Sequence, residues 1–460
     1  MEEIDLLVIG GGTGGYTAAI RASQLGLSAA IVEADKIGGV CLHRGCIPTK
    51  TWLHSAEILT QTRNAATFGV QTAEPSLDYP AMRARQQAVV DSLYRSIRSV
   101  IGKHKIEIIE GRGTIVSPNE VTVGDRAIQA KHIVVATGSR PKGLPGLDTD
   151  GDRVVTSDEL LEREEAPKSI VIIGGGAIGC EFASFFADIG SEVTLIEALP
   201  TLVPFEDGDA GKAVAKAFAA RGVNVMTSAK VLTERTRSYD SVVEVTVEHE
   251  GAEKQLKAEI LLLAVGREAV TDSLGLENAK VEIEDGWVKV DETYRTAEPS
   301  VYAIGDAIGG LLLAHVAGAE GFIAAEAIAG KERKRLDYDR VPRVTYSNPQ
   351  VAAVGLTLDE AKERGLNAKS QRFSLKYNAM ALIHDETDGF AKVVFDQDGG
   401  DLLGVHLVGA HVADIVSEAA LGRFLQASAW EMGTSIHPHP SLSEVLGEAA
   451  QLSAGMSIYW

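Results

Sequence analysis

Apolar positions along this chain fall in short unbroken runs that end on glycine. "IDLLVIGGG" is the first. The residues after it, "TGGYTAAIRASQLGLSAAIVEAD", predict a helix and then a second strand ending in acid. "SIVIIGGGAIGCEFASFFADIGSEVTLIEAL" repeats that layout farther along the chain. "HIVVATGSRP" (132–141), "ILLLAVGRE" (260–268) and "SVYAIGDAIGG" (300–310) are further apolar strands running into glycine. From about residue 339 the pattern changes. "RVTYS", "VAAVG", "FAKVVF" and "LLGVHLVG" alternate with two helical stretches, which predicts a separate α+β domain.

The repeated glycines are Gly10, Gly12 and Gly15, then Gly174, Gly176 and Gly179. Each set follows a strand, opens a helix and is followed at the same spacing by an acid, Glu33 or Glu197. That context, met twice, predicts two Rossmann-like dinucleotide-binding domains. The first glycine makes the tight turn, the second lets a pyrophosphate approach the backbone, and the third lets helix pack on strand. The helix N-terminus stabilises the phosphate charge, and the acid accepts hydrogen bonds from ribose hydroxyls. Two dinucleotides in one chain imply two-electron transfer between them. No arginine follows Glu197, only Ala198, Leu199 and Pro200, so a 2′-phosphate has no counter-charge and the second site should prefer NAD over NADP.

Composition narrows the partners. Among 460 residues the net charge is −20, which disfavours nucleic acid and anionic membrane surfaces. The run "GGLLLAHVAGAEGFIAAEAIAG" carries His315, Glu320 and Glu326, so it does not predict a membrane helix. The N-terminal "MEEIDLLVIGGG" lacks the features of a signal peptide, and three cysteines in all fit a reducing cytoplasm.

Two of those cysteines, Cys41 and Cys46, lie in "GGVCLHRGCIPTK". In a regular helix their Cα atoms would be about 8.7 Å apart, beyond the roughly 7 Å a disulfide allows. A bond between them needs an irregular turn, which Gly45 and Pro48 permit. Zinc usually takes four ligands, and no second cysteine pair exists, so redox chemistry is favoured and no metal site is expected. Cys180 stands alone and is expected in the core.

"GGxCLxxGCIPTK", the two glycine motifs, "ATGSRP", "YAIGD" and the C-terminal "HPHPSLSE" occur in one order. In this the chain resembles the flavoprotein pyridine nucleotide–disulfide oxidoreductases over nearly its whole length. Its closest branch is the dihydrolipoamide dehydrogenases, by the doubled histidine and by "ETDGFAKVVFD…LLGVHLVG". Two departures stand out: Met380 in "NAMA", where relatives often have arginine, and Ala269 in "GREA", where they often have proline and a loop change is expected.

The resemblance implies an FAD-binding part at 1–147 and 273–338, an NAD-binding domain at 148–272 and a C-terminal dimerisation domain at 339–460. It implies FAD held by Gly10, Gly12, Gly15, Glu33, Thr137, Gly138, Gly305 and Asp306. NAD⁺/NADH would be held by Gly174, Gly176, Gly179, Glu197 and Gly266, with Lys50 and Glu181 an ion pair beside the flavin. Asp306 by itself reads as a turn or cap residue. Cys46 would pass electrons to the flavin and Cys41 would meet substrate. His439, followed by Pro440 at a helix start, would be the base, oriented by Glu444 one turn in. His437 is expected to pack or orient. The implied reaction oxidises dihydrolipoamide and reduces NAD⁺, for 2-oxo acid dehydrogenase complexes or glycine cleavage, in a homodimer that meets the lipoyl domains and a basic subunit-binding domain of a 2-oxo acid dehydrogenase core. A reductase of another small disulfide, such as glutathione, and an acidic assembly subunit are the alternatives.

Overall fold

The computed structural model describes residues 4–331 and 335–458. The chain forms two compact units: Met1–Thr51, Pro80–Lys142 and Gly266–Leu336 make one, and Trp52–Tyr79, Gly143–Val265 and Asp337–Trp460 the other.

In the first unit the strands Glu107–Glu110, Ala29–Glu33, Ile4–Ile9 and Arg126–Val135 lie side by side in that order, with Val301–Ala303 beyond. All these pairs are parallel. Val8 lies opposite Ile31 on one side and Val134 on the other. Leu7, Ile9, Val32 and Val135 enter one core, while Leu6, Val8, Ile31 and Val134 enter a second with Ala18, Ala19 and Ala22. Both faces of the sheet are covered, which is why its strands read as unbroken apolar runs. The helices Thr13–Gln24 and Ala314–Ile328 meet backbone to backbone. A Cβ on Gly321 would stand 2.4 Å from the Gly14 carbonyl oxygen.

The second unit holds a five-stranded parallel sheet in the order Asn224–Met226, Glu192–Ile196, Ser169–Ile173, Ile260–Leu263, Val154–Val155. It also holds an antiparallel sheet in the order Arg343–Thr345, Gln350–Gly355, Leu402–Gly409, Phe390–Asp396, Ala368–Ser374. The last strand was not anticipated. It is an edge strand, "AKSQRFS", with only Ala368 and Phe373 buried, so its pattern is nearly polar throughout. Against two expected helical stretches, the described residues of this region form five helices, Leu358–Glu363, Ala379–His384, Val412–Phe424, Ala429–Thr434 and Glu444–Ser453. Three of these, the first, second and fourth, are six residues long, too short for periodicity alone to resolve.

Buried ion pairs join the parts of this unit. Lys392 Nζ lies 2.8 Å from Asp207 and 3.0 Å from Asp209, and Arg343 lies 3.0 Å from Glu206. Asp207 also accepts from the Asp209 N–H and so caps the helix Gly208–Ala220. Among the described residues no helix is long and apolar enough to cross a membrane.

Candidate active site

The two glycine turns have the same geometry. Gly10 and Gly174 take φ of +106° and +111°, and a Cβ on either would strike the carbonyl oxygen of Ala136 or Ala264 at 2.3 or 2.2 Å. A Cβ on Gly15 or Gly179 would strike the carbonyl of Gly10 or Gly174 at 1.9 or 1.8 Å, so only glycine lets the helix lie this close to the turn. At the middle position the space is open: nothing lies within 4 Å of a Cβ on Gly176, and on Gly12 only the Gly39 Cα at 4.0 Å. Tight at the first and third glycines and open at the second is the cradle a pyrophosphate requires.

The acids are set by a residue that the motif reading passed over. Gly11 N–H donates to Glu33 Oε2 at 2.6 Å, and Gly175 N–H donates to Glu197 Oε2 at 2.6 Å. The other oxygen accepts from Asp35 N–H at 2.8 Å in the first turn and from Leu199 N–H at 2.7 Å in the second. Each carboxylate oxygen keeps a further lone pair for a ribose hydroxyl. A Cβ at Gly11 or Gly175 would approach the same carboxylate oxygen to 3.1 Å. The middle glycine in both "GGG" runs was the available signal.

Thr137 Oγ1 donates to the Val270 carbonyl at 2.7 Å, and the Gly138 carbonyl accepts from Val270 N–H at 2.9 Å. Gly305 and Asp306 lie in a short 3₁₀ turn. The Asp306 side chain does not cap that turn: its Oδ2 accepts from Ser139 Oγ at 2.5 Å, and Arg267 holds Ser139 from the other side at 2.7 Å. Gly305 N–H donates to the buried Glu320 at 2.7 Å. Ser139, Arg267 and Glu320 were missed, because only tertiary structure brings them to Asp306. Gly266 takes φ +122° and its carbonyl accepts from Lys142 N–H. Ala269 is not in a loop. It pairs with Ser139 in the two-stranded ladder of Arg267–Ala269 and Ser139–Pro141.

Cys41 ends up in the helix Gly39–Arg44 and Cys46 opens the next helix, Cys46–Arg63. Between them Gly45 breaks the helix at φ −147°, ψ −111°. Both sulfurs are unbridged thiols here. The hydrogen bond from the Cys41 thiol to the Cys46 sulfur, then burial, push the Cys41 thiol well above its ordinary range, while the Lys50 charge opposes this. Cys180 is fully buried, and burial pushes its thiol up, as expected of a core residue. Glu181, also buried, accepts from Tyr346 N–H at 2.9 Å.

His439 Nδ1 lies 2.8 Å from Glu444 Oε1, and the imidazole side chain is 75% exposed. A carboxylate can only accept, so Nδ1 is the donor in this bond, which leaves Nε2 as the ring nitrogen that can take up a proton. The helix expected at Pro440 begins instead at Glu444, its first residue, and Glu444 Oε2 accepts from Ser441 N–H at 2.7 Å. Asn378, which was not singled out, holds the same loop by donating to the Ser441 carbonyl at 2.9 Å. Met380 follows it in the first turn of Ala379–His384. His437 Nε2 bonds Glu418 at 2.7 Å, and a Cβ on Gly447 would meet its ring at 2.9 Å. Glu444 and His437 line an open cleft of about 500 Å³ with Gly447, Glu448 and Gln451. In it burial and the Glu444 charge raise the Glu448 carboxyl.

The profile "Pyridine nucleotide-disulphide oxidoreductase" matches residues 4–321, and that of the family's dimerisation domain matches 341–450. A dihydrolipoyl dehydrogenase of Bacillus subtilis (strain 168) is 45% identical, covering 100% of this chain and 99% of the relative. The mitochondrial dihydrolipoyl dehydrogenase 1 of Arabidopsis thaliana is 37% identical, covering 100% of this chain and 92% of the relative. Among solved structures, LpdA from Mycobacterium tuberculosis superposes with a TM-score of 0.89 at 26% identity, covering 98% of this chain and 99% of that one. The HOCl-induced flavoprotein disulfide reductase RclA from Escherichia coli gives 0.86 at 29%, covering 97% and 99%. With paired dinucleotide cradles, a dithiol at a helix break and a full-length likeness of this extent, the chain belongs to the pyridine nucleotide-disulphide oxidoreductases.

Proposed function

We propose that the protein oxidises dihydrolipoamide and reduces NAD⁺, as a dihydrolipoyl dehydrogenase working as a homodimer. The observation that carries this is full-length likeness to enzymes of that name together with a histidine whose Nδ1 is held by a carboxylate. The glycine cradles fit both dinucleotides: FAD at Gly10, Gly12, Gly15 and Glu33, and NAD⁺ at Gly174, Gly176, Gly179 and Glu197. When bound, FAD supplies a two-electron acceptor between the dithiol and NAD⁺.

The chain's own residues do the sulfur chemistry. With Cys41 and Cys46 bridged, His439 Nε2 takes a proton from one substrate thiol, and the resulting thiolate attacks Cys41. The Cys41–Cys46 bond breaks and Cys46 leaves as thiolate. The second substrate thiol gives up its proton, which passes to the departing Cys41, attacks the sulfur joined to Cys41 and closes the cyclic disulfide. Cys41 leaves with the pair of electrons and receives a proton. The hydrogen bond to Cys46, then burial, favours keeping the proton on Cys41 in the reduced pair. Glu444 keeps Nδ1 protonated and so fixes Nε2 as the base. An imidazole this exposed suits a site shared between subunits, with His439 serving the partner's cysteines. The domain limits 1–147, 148–272, 273–338 and 339–460, a cytoplasmic location and docking to lipoyl and basic subunit-binding domains belong to this proposal. The charge of −20 favours such a basic partner. Steady-state turnover of dihydrolipoamide with NAD⁺, set against glutathione disulfide with NADH and NADPH, is the test. Turnover of glutathione disulfide with none of dihydrolipoamide would overturn the assignment.

A further inference from the structure

The C-terminal domain carries a constellation that the redox chemistry does not use. His384 ends the helix Ala379–His384, Glu386 follows two residues later, and His411 stands immediately before the helix Val412–Phe424. One ligand atom from each lies within 4.8 Å of the other two. We propose that His384, Glu386 and His411 bind a first-row divalent metal ion such as Zn²⁺.

Four observations support this. First, the donor set is two imidazoles and one carboxylate, the ligand chemistry that borderline ions such as Zn²⁺ favour over hard ions such as Mg²⁺. Second, Glu386 Oε2 is buried and makes no hydrogen bond among the described residues. His384 Nδ1 is 4.0 Å away, too far for one. A buried carboxylate oxygen left in this way is costly unless something occupies its lone pairs. Third, the His411 imidazole is not spent on its helix, for it makes no capping bond there. Fourth, the backbone presents all three side chains. Asp385, between His384 and Glu386, takes φ +56°, and His411 itself takes φ +58°. These left-handed residues turn the chain sharply at the two helix ends, which brings the three donors together.

Ligand atoms of a tetrahedral zinc site stand about 3.3 Å apart, given bonds of about 2.0 Å. The present spacing closes by side-chain rotation alone, since the His384 side chain is 43% exposed and Glu386 33%. Three protein ligands leave a fourth position for water. The ion would tie the end of one helix to the start of another across the strands Phe390–Asp396 and Leu402–Gly409. The first of these helices begins beside Asn378, which holds the His439 loop.

The test is calorimetric titration of Zn²⁺ into the oxidised holoenzyme, with X-ray absorption at the zinc edge. One Zn²⁺ per chain is expected, bound through imidazole nitrogen and carboxylate oxygen without sulfur. His411→Ala and His384→Ala should each weaken binding at least about 100-fold, and Glu386→Gln roughly tenfold. All three variants should keep their flavin and their NADH-to-dye activity, which shows that they fold. A wild type that takes up no stoichiometric Zn²⁺ would overturn the proposal. So would a His384→Ala/His411→Ala double variant that binds as tightly, or sulfur among the ligands.

Discussion

The two dinucleotide cradles share a backbone and differ in what comes next. After Glu33 the chain turns into the cysteine helix, and Gly39 at its start presses on the first cradle. A Cβ on Gly39 would stand 2.8 Å from the Gly12 Cα. After Glu197 the chain passes through Leu199 to a turn, and nothing stands within 4 Å of a Cβ on Gly176. The first cradle has Gly39, from the segment that carries the redox pair, beside its middle glycine. The second has no neighbour at the matching position. In the function proposed above, one motif serves a group that stays and a coenzyme that exchanges, and the difference lies in the segment after the acid rather than in the glycines.

Removing the covering segment's chemistry should have the largest effect. Cys41→Ser and Cys46→Ser should each cut dihydrolipoamide turnover by roughly a thousandfold or more, because exchange needs two sulfurs. NADH-to-dye activity should survive in both, since it bypasses the pair. Long-wavelength absorption from thiolate-to-flavin charge donation should appear without reductant in Cys41→Ser and be absent in Cys46→Ser. The reverse assignment would exchange the two roles.

The open cradle should choose its coenzyme by charge. Glu197 is 8% exposed and pinned by two backbone N–H groups, so it does not turn away from a 2′-phosphate. We expect kcat/KM for NAD⁺ to exceed that for NADP⁺ by roughly 100-fold or more, as like charges in a desolvated site require. Equal values would contradict the reading of that site.

The comparison itself is sharpened by one methyl group placed on each side. Gly39→Ala adds a Cβ at φ +61° against Gly12, so it should lower the ratio of bound FAD to protein and speed flavin loss about tenfold. Gly176→Ala adds a Cβ in open space. It should leave flavin content intact and raise the KM for NAD⁺ by about tenfold. Flavin loss from Gly176→Ala, or none from Gly39→Ala, would break the contrast.

What the sequence made legible here was local. Strand, glycine turn, helix and acid lie within one stretch of chain in each copy, and so do the cysteines and the break at Gly45. Long-range partners were not legible. Ser139 and Arg267 at Asp306, Asn378 at Ser441 and Glu418 at His437 are brought together by folding, and no spacing in the chain announces them. Gly11 and Gly175 are a different case, visible in "GGG" but overlooked because the motif names only the flanking glycines. The strand Ala368–Ser374 was hidden by its own exposure.

The smallest expected effect lies at the far end of the first sheet. There Asp5 meets Lys131 at 2.8 Å and the Ser28 N–H and hydroxyl, and these lower its carboxyl to about 2, Lys131 first. The second sheet is tied at the matching end by neutral donors, Lys168 N–H to Glu259 and Ser169 Oγ accepting from Glu259 N–H. The Lys131 side chain is 54% exposed, so Asp5→Asn should cost under about 1 kcal/mol. Because the folded carboxyl is depressed, that contribution is complete above the ordinary carboxylate range and disappears as pH falls through about 2. Denaturation of wild type and Asp5→Asn across acid pH checks this: a gap that persists undiminished below about pH 2 would exclude the Asp5 charge as its source.

The first unit is discontinuous in the chain, and this sets an order of assembly during synthesis. A nascent chain that has emerged as far as Val265 already carries every strand of the second parallel sheet and the cradle built on it. The first sheet at that moment lacks Val301–Ala303, Asp306 and the helix Ala314–Ile328 that packs on Gly14. Elongation adds roughly 5–20 residues per second. The ribosome therefore works for several seconds between completing the second parallel sheet with its glycine cradle and completing the first, where we propose that the flavin is held. Capture of a dinucleotide there waits for the chain to return.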